Sequence, residues 1–149
     1  MPSDAARDQE TQSPMADVPR DDPRPMSPHL SIYRPLINMM MSIVHRLTGA
    51  ALYFGTLLLA WWLIAAASGP DYFAYVRQLF SHPIGLFVLF GYTWALIHHM
   101  LGGVKHLVWD TGRGFDIGTV NVLSWLSIVA SVGLTAVVWA LALGFKWGL

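Results

Sequence analysis

Three long stretches without a charged residue constrain this chain more than any other feature. With histidine counted neutral, 24 uncharged positions separate Arg46 from Asp71, 27 separate Arg77 from Lys105, and 29 separate Asp116 from Lys146. A helix crosses the hydrocarbon core of a bilayer with roughly 20 mostly apolar residues, so each stretch holds one span. Composition agrees: 54% of the 149 residues are hydrophobic and 12% charged, against about 25% charged in soluble domains. The expected fold class is an all-α membrane protein with three transmembrane helices.

Punctuation sets the boundaries. The first span runs over about 42–68 and ends at Ser68-Gly69-Pro70. The second covers about 83–109 and opens on His82-Pro83, where proline suits a first turn. The third covers about 118–145, after the turn-forming run Asp110-Thr-Gly-Arg-Gly-Phe-Asp116. Between the first two spans, a short connection carrying Asp71 and Arg77 has room for a helical turn from Tyr72 to Phe80. Ahead of this anchor domain, 42–149, residues 1–25 read as a flexible tail. Residues 1–22 hold six acids against two arginines, and seven of the nine prolines fall in the first 35 positions. An Arg-rich transit peptide and an apolar secretory leader are both excluded by that composition. From Pro23 to Arg46 there are three arginines and no acid, so 26–41 reads as an interfacial segment near a cytoplasmic membrane face or an acidic partner.

With the amino terminus inside, Arg7, Arg20, Arg24, Arg34, Arg46, Lys105 and Arg113 are cytoplasmic and only Arg77 and Lys146 lie outside. The positive-inside rule therefore predicts N-in, C-out. Trp61-Trp62, Trp109 and Trp147 sit near the expected span ends, as interfacial anchors. Gly49, Ala50, Gly55, Gly91, Gly102 and Gly103 offer surfaces for close helix packing in lipid. Three helices with polar inner faces are an unfinished bundle, so partner helices are expected. A formal net charge of zero argues against nucleic acid as a partner. The absence of cysteine removes disulfides, thiolate haem ligation and iron–sulfur ligation from this chain.

The residues able to carry chemistry cluster in two places. His99 and His106 are seven apart, about two helical turns, and project from one face with Gly103 between them on the same side. An ionisable group within a span is costly and marks a functional site by default. A glycine beside it removes bulk where a large flat ligand could press on the backbone, and haem is the ligand this combination suggests. The alternative for His99 is a buried imidazole hydrogen-bonded to a neighbouring helix. His98 points about 100° away, toward lipid or a partner. His106 lies at the interface, where a propionate or water contact suits it better than ligation. His82 sits at the far end of the same helix, and His29 belongs to the exposed tail. Within the chain only His45 could be a second axial ligand, and it is expected near the interface rather than at the depth of His99. The second ligand is therefore expected from another subunit.

The other cluster opens the first span, Ser42-Ile-Val-His45-Arg46-Leu-Thr48-Gly49. Ser42 and Arg46 share a face, with His45 adjacent around the helix. A hydroxyl donor and a fixed guanidinium suit the carbonyl oxygens of a quinone, which gain electron density on reduction. A plainer reading also fits, in which Arg46 snorkels to lipid phosphates and Ser42 caps the helix.

These stretches resemble the cytochrome b subunit of succinate dehydrogenase, the membrane-anchor C subunit of respiratory complex II, in its alphaproteobacterial and mitochondrial form. Arg24-Pro-Met-Ser-Pro-His-Leu-Ser-Ile-Tyr33 is similar to the family's lead-in, Ser42 to Gly49 to its Ser-x-x-His-Arg-x-Thr-Gly signature, and His99 to Gly112 to a fourteen-position histidine–glycine pattern. The resemblance implies His99 as an axial ligand of haem b and Ser42 and Arg46 at a ubiquinone site. It places His45 and Arg46 near the haem propionates. It further implies that haem b is shared with a second membrane-anchor subunit, and that an iron–sulfur subunit and a flavoprotein subunit dock on the cytoplasmic face of a bacterial inner membrane. The family usually has arginine where this chain has Lys105, and lysine lacks the planar fork of a bidentate contact. Two other functions are to be weighed: a quinol:fumarate reductase anchor, and a membrane scaffold without redox chemistry.

Overall fold

The computed structural model describes residues 33–144. Contacts divide the chain after Arg34, and of the first part only Tyr33 and Arg34 are described, both irregular. The expected tail over 1–25, the start of the interfacial segment 26–41, His29, Lys146 and Trp147 lie outside the described residues. From Pro35 onward four helices follow: α1 (Ile37–Ser68), α2 (Pro70–Ser81), α3 (Pro83–Asp110) and α4 (Ile117–Gly144). There is no strand among the described residues. The helices α1, α3 and α4 are each long and apolar enough to cross a membrane.

Helix α1 has 32 residues, about 48 Å at 1.5 Å per residue, against a hydrocarbon thickness of ~30 Å. It starts at Ile37, five residues earlier than the composition suggested, because nothing between Ile37 and Met41 breaks a helix. Leu36 is its N-cap and makes no side-chain cap bond. Ser42 consequently sits in the second turn and caps nothing. The helix stops at Gly69, whose φ of +128° is closed to most side chains. Pro70 then opens α2, which has 12 residues rather than a single turn. At the next joint the His82 Nδ1 accepts from the Ile84 N–H at 3.4 Å. Beyond α3 the loop is tied by Trp109 Nε1 donating to the Gly114 carbonyl at 3.0 Å. Asp116 caps α4, its Oδ2 accepting from the Thr119 N–H at 2.8 Å. The Thr119 hydroxyl, and next its backbone N–H, hold the Asp116 carboxyl below the usual carboxylate range.

Helix α3 lies between α1 and α4, and α2 packs against α1 and α3. There Ala65, Val76 and Phe80 make a small apolar cluster with Trp61 and Leu89. Elsewhere the polarity is inverted relative to a soluble protein. Thr48, His98, Lys105, Ser124, Ser127, Ser131 and Thr135 are buried, while Leu57, Phe87 and Val129 are exposed. Apolar faces this extensive would drive aggregation in water. Lipid solvates them, and small hydroxyl residues let helices approach closely inside. The stripe on α4 returns its hydroxyl protons to its own backbone, as Ser124 does to Val120, Ser127 to Leu123 and Thr135 to Ser131. Of the six small residues expected at helix contacts, Gly49, Gly55 and Gly102 meet another helix of this chain. Gly91 and Gly103 look onto open space and Ala50 is exposed.

Candidate functional site

The crossing of α1 and α3 is built by two reciprocal insertions of histidine against glycine. The His45 ring of α1 occupies the space that a Cβ on Gly102 of α3 would need, and the His99 Cε1 of α3 lies 3.0 Å from a Cβ position on Gly49 of α1. The two rings thereby stack, with centroids 4.0 Å apart and planes 15° from parallel. His106 meets His45 edge-on at 5.2 Å. The glycine that makes room for the His45 ring is Gly102, while Gly103, expected to leave space for a flat ligand, looks onto open space. Both flank the His99–His106 line by about 50°, so spacing could not choose between them. Helix α1 packs on the Gly102 side, and that settles it.

Hydrogen bonding determines the tautomer of His99. Its Nδ1 lies 3.1 Å from the His45 carbonyl oxygen and 3.3 Å from Thr48 Oγ1. The Thr48 hydroxyl donates to the Val44 and His45 carbonyls at 3.0 and 2.9 Å, so its only proton is engaged. A carbonyl can only accept. Nδ1 therefore carries a proton, and in the neutral imidazole the lone pair is on Nε2. A ring oriented by donating its other N–H to a backbone carbonyl is how metal-ligating imidazoles are held.

His45 is not where it was expected. It lies level with His99 instead of nearer the boundary, because the early start of α1 places it eight residues, about 12 Å, inside that helix. His99 is eleven residues, about 16 Å, from the end of α3. Stacked face to face, the two rings present their nitrogens at their edges, so His99 and His45 would not hold one bound group between them. Its Nε2 is buried and has no hydrogen-bond partner, a costly state in hydrocarbon that a polar ligand atom would relieve.

On the far side of His45 is a cleft of about 100 Å³ lined by Ser42, His106, Asn38, Lys105 and His98 among others. Three of the expected site residues, Ser42, His45 and His106, thus share one cavity. Arg46 is exposed one turn beyond Ser42 and is not part of its lining. Lys105 is 9% exposed, and its ammonium sits 5.0 Å from the centroid of the Trp109 ring. A point charge over an aromatic face needs no planar fork.

His98 faces α4 rather than lipid or a partner. It is 2% exposed and its Nδ1 is 3.1 Å from Ser131 Oγ. Ser131 donates to the Ile128 carbonyl, so it accepts from the His98 Nδ1–H, and the buried Nε2 is left with a lone pair and no partner. Sequence reasoning missed Ser131, Asn38, Thr48 and the burial of Lys105. One signal was available: Ser124, Ser127, Ser131 and Thr135 recur at helical spacing on an otherwise apolar span. Among the described residues no three His, Asp or Glu side chains converge to hold a bare metal ion. One fixed-tautomer imidazole beside an orphaned ring nitrogen instead fits a metal brought by its own macrocycle.

The family model for the succinate dehydrogenase/fumarate reductase transmembrane subunit matches residues 20–141. The chain is 41% identical over 116 residues to the succinate dehydrogenase cytochrome b556 subunit of Rickettsia prowazekii, covering 78% of this chain and 90% of the relative. It is 42% identical over 120 residues to the same subunit of Paracoccus denitrificans, covering 80% and 92%. Against the mitochondrial cytochrome b560 subunit of Sus scrofa it is 36% identical over 119 residues, covering 76% and 70%. Reciprocal histidine–glycine packing on apolar spans and relatives that are membrane cytochromes agree, and the chain belongs to the succinate dehydrogenase/fumarate reductase transmembrane subunit family, among the succinate dehydrogenase cytochrome b subunits.

Proposed function

We propose that this chain anchors a succinate:ubiquinone oxidoreductase in a bacterial inner membrane, binding one side of a haem b and lining part of the quinone-reduction site. The observation that carries the reading is His99: half-buried on the α3 span, with its Nδ1 held 3.1 Å from the His45 carbonyl oxygen so that Nε2 is the nitrogen that would ligate iron. Haem, when bound, supplies one-electron redox chemistry, while the protein supplies ligation, orientation and field. With His45 stacked on His99, a second membrane-anchor subunit would complete the haem site. The unpartnered His45 Nε2, the exposed Arg46 guanidinium and His106 would supply polar groups for the haem propionates.

Ser42 and Arg46 serve the quinone. Ser42 lines the cleft, where its hydroxyl would donate to a head-group oxygen, and the guanidinium one turn away would favour the charge that builds on that oxygen during reduction. With the N-in orientation of the positive-inside rule, this end of the spans faces the cytoplasm. The iron–sulfur subunit docks there and the flavoprotein subunit lies beyond it.

The test is a reduced-minus-oxidised difference spectrum of membranes holding the assembled complex. Wild type is expected to show a b-type band that His99→Leu abolishes; an unchanged band would overturn the assignment. Comparing succinate plus ubiquinone with fumarate plus a low-potential quinol separates the two directions of the same chemistry.

A further inference from the structure

At the opposite end of the spans from His45, a second cavity opens between α1, α2 and α3. It has a volume of about 330 Å³, and its lining is apolar apart from Arg77. Leu58 and Trp62 come from α1, Val88 from α3 and Arg77 from α2, and the Tyr92 ring fills the space beside Gly55.

Three observations define what fits. First, Arg77 lies on the short helix joining the two span ends, among aromatic groups of the kind that settle at headgroup level. Trp61 Nε1 donates to the Tyr72 hydroxyl at 2.9 Å, and Trp62 packs edge-on to Phe73 at 5.3 Å. Second, Gly55 and Tyr92 are 13 and nine residues from the nearer ends of α1 and α3, about 14–20 Å along the helices. The groove therefore runs through one leaflet's share of a ~30 Å core. Third, a guanidinium recognises phosphate through paired, charge-assisted hydrogen bonds. A cation at headgroup depth above an apolar slot one leaflet deep matches a glycerophospholipid, and an anionic one best, because its headgroup carries no cation of its own to offset the phosphate charge that Arg77 attracts.

We propose that this groove is a binding site for one anionic phospholipid of the outer leaflet, its phosphate on Arg77 and an acyl chain laid along Leu58 and Val88 toward Tyr92. The site is remote from His99, and its leaflet rests on the N-in orientation proposed above.

The test uses the complete complex, purified in mild detergent and stripped of loosely held lipid. Native mass spectrometry then counts retained phospholipid, and thermal unfolding is compared in nanodiscs of phosphatidylglycerol and phosphatidylcholine. Wild type is expected to retain one phosphatidylglycerol and to unfold at higher temperature in the anionic discs. Arg77→Gln should weaken retention roughly tenfold, the loss expected for one charge-assisted contact, with Arg77→Lys between the two. Val88→Trp, which fills the slot and leaves the cation, should also release the lipid while haem absorbance stays unchanged. Equal retention in wild type and both Arg77→Gln and Val88→Trp overturns the proposal. So does equal retention of phosphatidylcholine, or a cross-link from Leu58→Cys to another subunit showing that protein fills the groove.

Discussion

A single methyl group distinguishes the two glycines of α3. On Gly102 it would collide with the His45 ring, whereas on Gly103 it would enter open space. Gly102→Ala is therefore expected to displace the histidine stack at a cost of about 1–3 kcal/mol, the range for overpacking, and to lower haem content in the assembled complex. Gly103→Ala should leave the b-type absorbance intact; if the two variants behave alike, the stack is not what positions the ligand. The His98–Ser131 contact makes a second residue-scale prediction. Ser131→Ala leaves the His98 Nδ1–H buried without an acceptor and should cost about 1–3 kcal/mol, while His98→Leu combined with Ser131→Ala should cost less than the sum of the single changes. Thermal unfolding of wild type and the three variants in one detergent measures the coupling.

Among the elements, the starts of the helices matter most. Helix α4 begins on an ionised cap, because Thr119 holds Asp116 in its carboxylate form. A carboxyl with a lowered pKa in the folded state adds stability above its ordinary pKa and loses it as pH falls through the lowered value. Protection of the Thr119 and Val120 amides, measured against their intrinsic exchange rates, is thus expected to hold from neutrality into the mildly acidic range and to fall only below it. Asp116→Asn should flatten that dependence without unfolding α4. The early start of α1 is equally consequential, since it turns Ser42 from a cap into a cleft residue and brings His45 level with His99.

For the whole molecule the deciding fact is how little is buried. In the most apolar window of each span, only 11–17% of residues are inside, so most of the apolar surface is left for lipid and partner helices. The proposed roles can be separated in the intact complex. Arg46→Leu is expected to impair ubiquinone reduction at least tenfold, in the range for losing a charge-assisted contact at a developing oxyanion, while succinate oxidation by a soluble artificial acceptor survives. If both activities fall together in a fully assembled complex, Arg46 does not serve the quinone.

Much of this was legible in the order of residues, because crossing a bilayer is a one-dimensional problem. Charge-free length determined three helices, Gly69-Pro70 and His82-Pro83 determined where they break, and His99 stood out because an imidazole in hydrocarbon is costly wherever its neighbours lie. Choosing between Gly102 and Gly103, turning His98 toward Ser131, burying Lys105 over Trp109 and stacking His45 on His99 depended on which side of α3 its neighbours pack. Helical periodicity assigns a face to each side chain but says nothing of what stands opposite it. That is a property of helix packing, and only the tertiary structure could decide it.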